Sequence, residues 1–241
     1  MSNIKTLVYF DLEATGLKSS GRPRISEMSF VAVNSEDVME LYLKIQNNLR
    51  NKNNQDYLLQ VESMLPRVMN KLILCVYPMA IIMPEVSDIT GLDNYNLTNQ
   101  SRFDKTTGIL LNNFLDRLPK PICLVAHNGN NYDFPLLKAE MEKAHIKLGS
   151  DILCADSYVG MKAIFQKRKE LTGIEETEKQ SFSLINLHKL LLGYEPILSH
   201  GAEADCISLL RTTAALGKEW IEWIEKDTKL FSDCKKMWFH H

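Results

Sequence analysis

Short apolar runs alternate along the chain with segments of helical spacing. Residues 7–10, 25–33, 71–77, 122–126 and 152–156 are apolar or alternate between apolar and polar positions, which predicts five strands. Helices are predicted for a stretch that begins at Pro135 and for residues 158–166, 183–192 and 202–216. This alternation predicts an α/β fold in which helices cover a central sheet.

The polar segments between these elements predict surface excursions rather than a linker between two cores. Residues 47–70 are rich in Asn, Gln and charge, and residues 167–180 are almost wholly polar. We therefore predict one domain over residues 1–241, with a polar insertion at 47–70 and a polar loop at 167–180.

Composition narrows the class of protein. The chain is 45% hydrophobic and 24% charged, which excludes disorder and low-complexity architecture as descriptions of the whole chain. Its 28 basic and 30 acidic residues give a formal net charge of −2. Bulk positive charge therefore cannot attract nucleic acid, and local basic groups or bound metal would have to do so.

Cysteine usage and hydropathy predict the compartment. The five cysteines are widely spread and include no Cys-x-x-Cys pair, which argues against a disulfide framework or a zinc site. The N-terminus lacks the plan of a signal peptide. The longest apolar stretch, residues 72–83, contains Pro78 and is too short to span a bilayer. We expect a soluble intracellular protein, cytoplasmic and/or nuclear, with no membrane segment.

Asp11 and Glu13 lie two residues apart at the end of the first predicted strand. Because side chains alternate across a strand, both carboxylates project from the same face. Two such acids repel each other unless a cation lies between them. Taken alone, the pair is more typical of a solvated strand end.

Two further groups of residues each have an ordinary structural explanation. Asp133 follows a loop and precedes a helix, where a capping role is common. His200 precedes the helix that contains Asp205, and capping would explain it as well. Together, however, the four acids and the histidine suit a phosphodiesterase with two Mg²⁺ or Mn²⁺ ions, because these ions prefer oxygen ligands. A histidine with a pKa near neutrality can take a proton from the attacking water.

Three motifs carry these residues, and they resemble the exonuclease motifs of the DEDDh superfamily. The first is Phe-Asp-Leu-Glu-Ala-Thr-Gly-Leu at residues 10–17. The second lies within residues 125–137 and includes Tyr-Asp-Phe-Pro-Leu-Leu, and the third is Ser-His-Gly-Ala-Glu-Ala-Asp at residues 199–205. Over about residues 7–216 the chain resembles the three-prime repair exonuclease (TREX) family.

The resemblance implies a ribonuclease-H-like mixed β-sheet flanked by helices, and a 3′→5′ exodeoxyribonuclease that releases nucleoside monophosphates. It also implies roles for the motif residues. Asp11, Glu13, Asp133 and Asp205 would hold two Mg²⁺ or Mn²⁺ ions, and His200 would be the general base. The implied substrates are single-stranded DNA or DNA 3′ ends.

Residues around the motifs are implied to contact the substrate. Ala14 and Thr15 would contact the sugar of the 3′-terminal nucleotide, Leu17 would wedge against the terminal bases, and Tyr132 would line the scissile phosphate. An ordinary core role for Leu17 remains open. The basic residues that open the polar loop would reach substrate phosphates, although a solvated charge run is equally compatible: Lys167, Arg168 and Lys169.

Two alternative functions stay open. A 3′→5′ exoribonuclease has the same motif spacing, because the metals act on phosphate. A catalytically silent module of the same fold would bind nucleic acid without cleaving it, although all four carboxylates and the histidine are present.

The resemblance also implies a homodimer. The third strand, from Lys71 to Tyr77, would lie at the sheet edge, where its unpaired backbone groups can join those of a second copy. From the sequence, proline at Leu74 or Val76 is expected to remove an outward-facing donor and break the dimer.

Overall fold

A six-stranded mixed sheet forms the centre of the computed structural model, which describes residues 3–50, 63–172, 181–197 and 201–237. Its strands are β1 (Thr6–Ala14), β2 (Ile25–Asn34), β3 (Asn70–Cys75), β4 (Ile122–Ala126), β5 (Leu153–Asp156) and β6 (Lys229–Leu230). Their order in the sheet is β3-β2-β1-β4-β5-β6. Because β1 pairs antiparallel with β2 and parallel with β4, the sheet is mixed, as predicted.

Helices cover both faces of the sheet. They are α1 (Ser35–Arg50), α2 (Pro84–Thr90), α3 (Lys105–Asp116), α4 (Asp133–Lys143), α5 (Ser157–Thr172), α6 (Leu184–Leu192), α7 (Ala202–Ala214) and α8 (Lys218–Asp227). One apolar cluster joins α3 and α4 to one face of the sheet. A second cluster joins α1, α5, α6, α7 and α8 to the other face.

Strand β1 lies in the middle of the sheet, between β2 and β4, and helices bury both of its faces. Its even-numbered residues, such as Val8 and Phe10, enter the cluster under α4, whereas Leu7 and Tyr9 enter the cluster under α7. The ring of Phe10 stacks on its cross-strand partner Phe30 with 5.3 Å between centroids. The same alternation turns the odd-numbered positions that follow Tyr9 toward α7.

A hairpin connects β1 to β2. The Thr15 N–H donates to the carbonyl oxygen of Arg24 at 2.9 Å, and the Arg24 N–H donates to the Thr15 hydroxyl at 3.1 Å. The regular pairing shifts immediately after Glu13, which leaves an extra residue on β2. Such a bulge changes the direction of the strand, and here it lies where the hairpin leaves the sheet.

The chain after α8 packs against α4. The Met237 N–H donates to the carbonyl oxygen of Pro135 at 3.0 Å, and the Lys138 ammonium donates to the carbonyl oxygens of Ser232 and Cys234 at 2.6 Å each. This C-terminal segment, residues 229–237, therefore braces the helix that follows the second motif.

Several elements differ from the sequence predictions. Helix α5 continues to Thr172, so the predicted loop does not begin at Lys167, and the start of the predicted insertion belongs to α1. Lysine, arginine and glutamate are good helix formers, so the polar residues that follow Gln166 continue α5. Residues 51–62 and 173–180 of the two predicted excursions lie outside the described residues.

Candidate active site

Three carboxylates meet where β1 passes beneath the first turns of α7. Asp11 and Glu13 project from the same face of β1, and Asp205 projects from α7. One carboxylate oxygen from each can be chosen so that all three lie within 4.8 Å of one another. All three residues are half-buried. The structure thus brings together acids from the first and third motifs.

Asp133 reaches the same site from the opposite side of β1. It is buried in the first turn of α4, and its carboxylate accepts a hydrogen bond from the backbone of Leu12, between the two acids of the first motif. The preceding loop is tight, because a side chain at Gly129 would meet Phe134 at 2.8 Å. The hydroxyl of Tyr132 donates to the carbonyl oxygen of Gly16 at 2.6 Å, which joins this loop to the hairpin.

The four acids strongly affect one another. Burial, followed by the charges of Asp133, Asp205 and other acids, raises the pKa of Asp11 well above its usual range. Burial and the charges of Asp205 and Glu27 raise the pKa of Glu13 to about 7. Burial is also the largest cause that raises the pKa of Asp133 to about 7. Without a counter-charge, the cluster is therefore electrostatically unfavourable in its ionised form.

The donors at this site suit a hard divalent cation. The four acids supply only oxygen ligands, which favour Mg²⁺ or Mn²⁺ over zinc. Ser29 lies directly across the ladder from Asp11, and its buried Oγ has no hydrogen-bond partner in the described part of the chain. A buried hydroxyl beside acidic ligands needs a hydrogen-bond partner, and a water molecule on a bound cation would supply one.

The residues implied to contact the terminal nucleotide lie in the hairpin and at its start. Ala14 and Thr15 are buried, and the Thr15 hydroxyl already accepts the Arg24 N–H. Leu17 is 65% exposed, which rules out the core role that the sequence left open. Its role as a wedge against the terminal bases stays a prediction.

The three basic residues do not lie in a loop. Lys167, Arg168 and Lys169 lie in the last turns of α5, which corrects the prediction that they open a polar loop. The Arg168 Nε donates to both carboxylate oxygens of Glu219 on α8, at 3.0 and 3.1 Å, and the guanidinium makes a further contact with the same group. Arg168 is thus used in joining two helices, and contact of the three residues with substrate stays a prediction.

His200 lies outside the described residues. The residue that follows it, Gly201, is the N-cap of α7, and its carbonyl oxygen accepts the Asp205 N–H at 3.0 Å. The assignment of His200 as general base therefore stays a prediction.

Two acids near the site were given no role from the sequence. Glu27 on β2 is the cross-strand partner of Glu13, and its Oε2 accepts the Ala202 N–H at 2.9 Å. Asp156 at the end of β5 accepts the N–H groups of Asn130 and Tyr158 at 3.0 Å each. A signal was present for Glu27, because it is the one charged residue of β2 and a charged side chain in a largely buried strand needs a polar partner.

Comparison with known proteins places this site in a family. No family model matches the chain. The chain is 36% identical to three-prime repair exonuclease 1 of cattle (Bos taurus), over 98% of the chain and 71% of that protein. It is 33% identical to three prime repair exonuclease 2 of Homo sapiens, over 97% of the chain and 93% of that protein. The chain belongs to the three-prime repair exonuclease family. It is thus a 3′→5′ exonuclease, and the resemblance drawn from its motifs is confirmed.

Solved structures of other exonucleases share the fold of this family member at low sequence identity. A structure of exonuclease I matches with a TM-score of 0.66 and 16% identity, over 91% of the chain and 43% of that chain. Cell-death related nuclease 4 matches with a TM-score of 0.59 and 14% identity, over 95% of the present chain and 66% of the nuclease. E. coli exonuclease I in complex with a dT13 oligonucleotide matches with a TM-score of 0.63 and 16% identity, over 89% of the present chain and 41% of exonuclease I. The ribonuclease-H-like fold is therefore confirmed, although the chain spans less than half of exonuclease I.

Among the helices of the described residues, none combines the length and the apolar character that crossing a membrane requires.

Proposed function

We propose that this chain is a metal-dependent 3′→5′ exodeoxyribonuclease that releases nucleoside monophosphates from DNA 3′ ends. The observation that carries the proposal is the convergence of Asp11, Glu13 and Asp205 on one site, with Asp133 beside them. DNA as the substrate is supported by the word "repair" in the names of the relatives and by the dT13 oligonucleotide of one solved neighbour.

Asp11, Glu13, Asp133 and Asp205 would hold two Mg²⁺ or Mn²⁺ ions. When bound, such ions activate the attacking water and offset the charge that develops on the leaving oxygen. The protein's own contribution is to keep the carboxylates in place. The backbone hydrogen bond from Leu12 holds Asp133 against β1, and the strand period keeps Asp11 and Glu13 on one face.

His200 would accept the proton of the attacking water. Its place in the chain supports this role, because it directly precedes Gly201, the N-cap of the helix that carries Asp205. A histidine whose pKa lies near neutrality is suited to general-base catalysis at physiological pH.

The hairpin and the loop of the second motif would receive the 3′ end. Leu17 is exposed and would contact a base, whereas Ala14 and Thr15, buried at the start of the hairpin, would contact the sugar. Tyr132, held to Gly16 by its hydroxyl, would lie beside the scissile phosphate. Because bases of a duplex must unpair before they enter such a site, we expect single strands or frayed ends to be preferred.

The proposal is tested with a 5′-labelled single-stranded DNA and the purified chain. We expect nucleotide-by-nucleotide shortening from the 3′ end that Mg²⁺ or Mn²⁺ supports and a chelator abolishes. Asp205→Asn should abolish it, whereas Glu203→Gln, two residues away on the same helix, should not. Activity that a chelator leaves undiminished would refute the metal site. Faster hydrolysis of a matched RNA would make the chain an exoribonuclease, and binding without hydrolysis would make it a silent module.

We also propose that two copies join through β3. This strand lies at the sheet edge, as predicted, and its Lys71 and Ile73 side chains are exposed. The Val76 N–H donates to the carbonyl oxygen of Ser26 on β2. By alternation along the strand, the Leu74 N–H also points toward β2. Proline at either position would therefore not remove an N–H that points out of the sheet. The expectation for these two positions is therefore corrected to Ile73.

Light scattering tests this dimer. We expect the wild-type chain to be a dimer at micromolar concentration and Ile73→Pro to be a monomer. Ile73→Thr, which keeps the N–H and the β propensity, is the matched control and should remain dimeric. A monomeric wild-type chain would refute the dimer, and a dimer indifferent to proline would place the interface elsewhere.

A further inference from the structure

The first turn of α7 is capped by a side chain from another element of the fold. Its N-cap is Gly201, which has no side chain to accept a backbone N–H. The Ala202 N–H instead donates to Oε2 of Glu27, which lies on β2, 175 residues earlier in the chain. Glu27 therefore acts as a cap from another element, and its negative charge also suits the positive end of the helix.

Helix α7 is joined to the sheet by hydrogen bonds along its length. After the contact between Ala202 and Glu27, the Cys206 thiol donates to the carbonyl oxygen of Ser29 at 3.4 Å. Four helical residues rise about 6 Å, and two strand residues span about 6.8 Å, so the helix and the strand advance in step between these contacts. Asp205 lies between Ala202 and Cys206. These two contacts therefore hold the part of the helix that carries its carboxylate.

The position of Glu27 is electrostatically unfavourable unless its carboxylate has a partner such as the Ala202 N–H. It lies directly across the ladder from Glu13, and like charges at facing positions of a sheet are unfavourable. Glu27 is half-buried, so water screens this repulsion only in part. The hydrogen bond to the end of α7 offsets the cost and gives the carboxylate a defined orientation.

We propose that Glu27 is a positioning residue for the exonuclease reaction: by holding the first turn of α7 on β2, it fixes Asp205 relative to Asp11 and Glu13. The proposal deepens the proposed function and rests on it for the activity measurement alone. A rival role, in which Glu27 is itself a metal ligand, predicts a different response to the loss of its charge.

Two substitutions distinguish the role of Glu27 as a hydrogen-bond acceptor from the role of its negative charge. Glu27→Gln keeps an oxygen that can accept the Ala202 N–H but removes the charge, whereas Glu27→Ala removes both. Misplacement of a catalytic group by about 1 Å can cost about 10²-fold in rate, so we expect Glu27→Ala to lower kcat by about 10- to 100-fold. KM for DNA should hardly change, and Glu27→Gln should remain close to wild type. Glu203→Ala, which removes an exposed acid at the same helix end, is the matched control.

Hydrogen–deuterium exchange of the metal-free proteins supplies a measurement independent of activity. The amides of the first turn of α7 should exchange faster in Glu27→Ala than in wild type, and at the wild-type rate in Glu27→Gln, with circular dichroism to check folding. Unchanged exchange in Glu27→Ala overturns the proposal. So does a loss of kcat in Glu27→Gln as large as in Glu27→Ala, because the charge would then be the essential property. If the wild-type chain does not hydrolyse DNA, the proposed function fails while the exchange experiment still tests the cap.

Discussion

The two helices that bring acids to the site are attached to the rest of the molecule in different ways. Helix α4, which begins at Asp133, is held by a bidentate ion pair between Arg24 and Glu140, at 2.5 and 2.9 Å, and by the C-terminal segment. The first turn of helix α7, which carries Asp205, is held by a hydrogen bond from the Ala202 N–H to Glu27 and by an exposed ion pair between Glu203 and Lys71. The first attachment is largely buried, and the second lies at a half-open edge of the site.

The difference indicates a division between stability and alignment. Glu140 is 1% exposed, so the loss of its charge would leave Arg24 without its carboxylate partner in a poorly solvated place. Such changes act on the free energy of unfolding. The contact of α7 with Glu27 is a single, partly buried hydrogen bond, and its loss should displace Asp205 without unfolding the chain. Substitutions at the Arg24–Glu140 pair should therefore change stability, and those at the first turn of α7 should change kcat.

The largest expected effect lies on the α7 side. His200→Ala should lower kcat by about 10²–10⁴-fold, because it removes the proposed general base, while the affinities for DNA and Mg²⁺ remain. His145→Asn is the matched control, since His145 is an exposed histidine after α4 with a positive φ that asparagine tolerates. Single-turnover rates and DNA binding measure the two effects. An equal loss of DNA affinity would make His200 a structural residue, and a residual rate that does not rise with pH would speak against a base.

The next effect lies on the α4 side. Glu140→Ala should lower the free energy of unfolding by about 3–5 kcal/mol, because it breaks a buried ion pair. Glu203→Ala, which breaks the exposed pair with Lys71, should cost less than about 1 kcal/mol. Urea denaturation monitored by circular dichroism measures both. Equal losses would show that the two sides do not differ in the way described.

The smallest effect is a dependence of stability on pH that comes from the acids themselves. Glu13 and Asp133 have a pKa of about 7 in the folded chain and ordinary values near 4 when unfolded. Between these values the folded state binds more protons, so their contribution to stability is present at low pH and is lost as the pH rises through about 7. Without divalent cations, the melting temperature should therefore fall between about pH 4 and pH 7.

A variant and a cation distinguish this contribution from other titrating groups. The melting temperature of Glu13→Gln should depend less on pH than that of the wild-type chain. Mg²⁺ should stabilise the wild-type chain more at high pH, where the carboxylates are ionised and free to bind it. Identical pH dependence in the two proteins would show that Glu13 does not carry the effect.

The sequence predicted the parts of the site that depend on local periodicity. The shared face of Asp11 and Glu13 follows from the strand period, and the helices that carry Asp133 and Asp205 follow from spacing and from Pro135. The structure begins α4 two residues before that proline, because the first turn of a helix tolerates proline at more than one position.

The attachments of the two helices could not be predicted in the same way. Arg24 and Glu140 are 116 residues apart, and Glu27 and Ala202 are 175 apart. Periodicity tells which face a side chain occupies but not which residue of another element meets it there. The amphipathic helix α8, with Trp220 and Ile224 one turn apart and fully buried, was missed although its pattern was present.

The alternation of β1 has a consequence for changes in chain length. Exchange of Val8 or Phe10 for another apolar residue of similar volume should cost less than about 1.5 kcal/mol. Gain or loss of a single residue between Tyr9 and Asp11 reverses the parity of the strand, so that carboxylates would enter the apolar cluster under α4. A change of two residues would restore parity but displace both acids by about 6.8 Å along the strand. In this segment a one-codon insertion or deletion should therefore be far more damaging than a missense change.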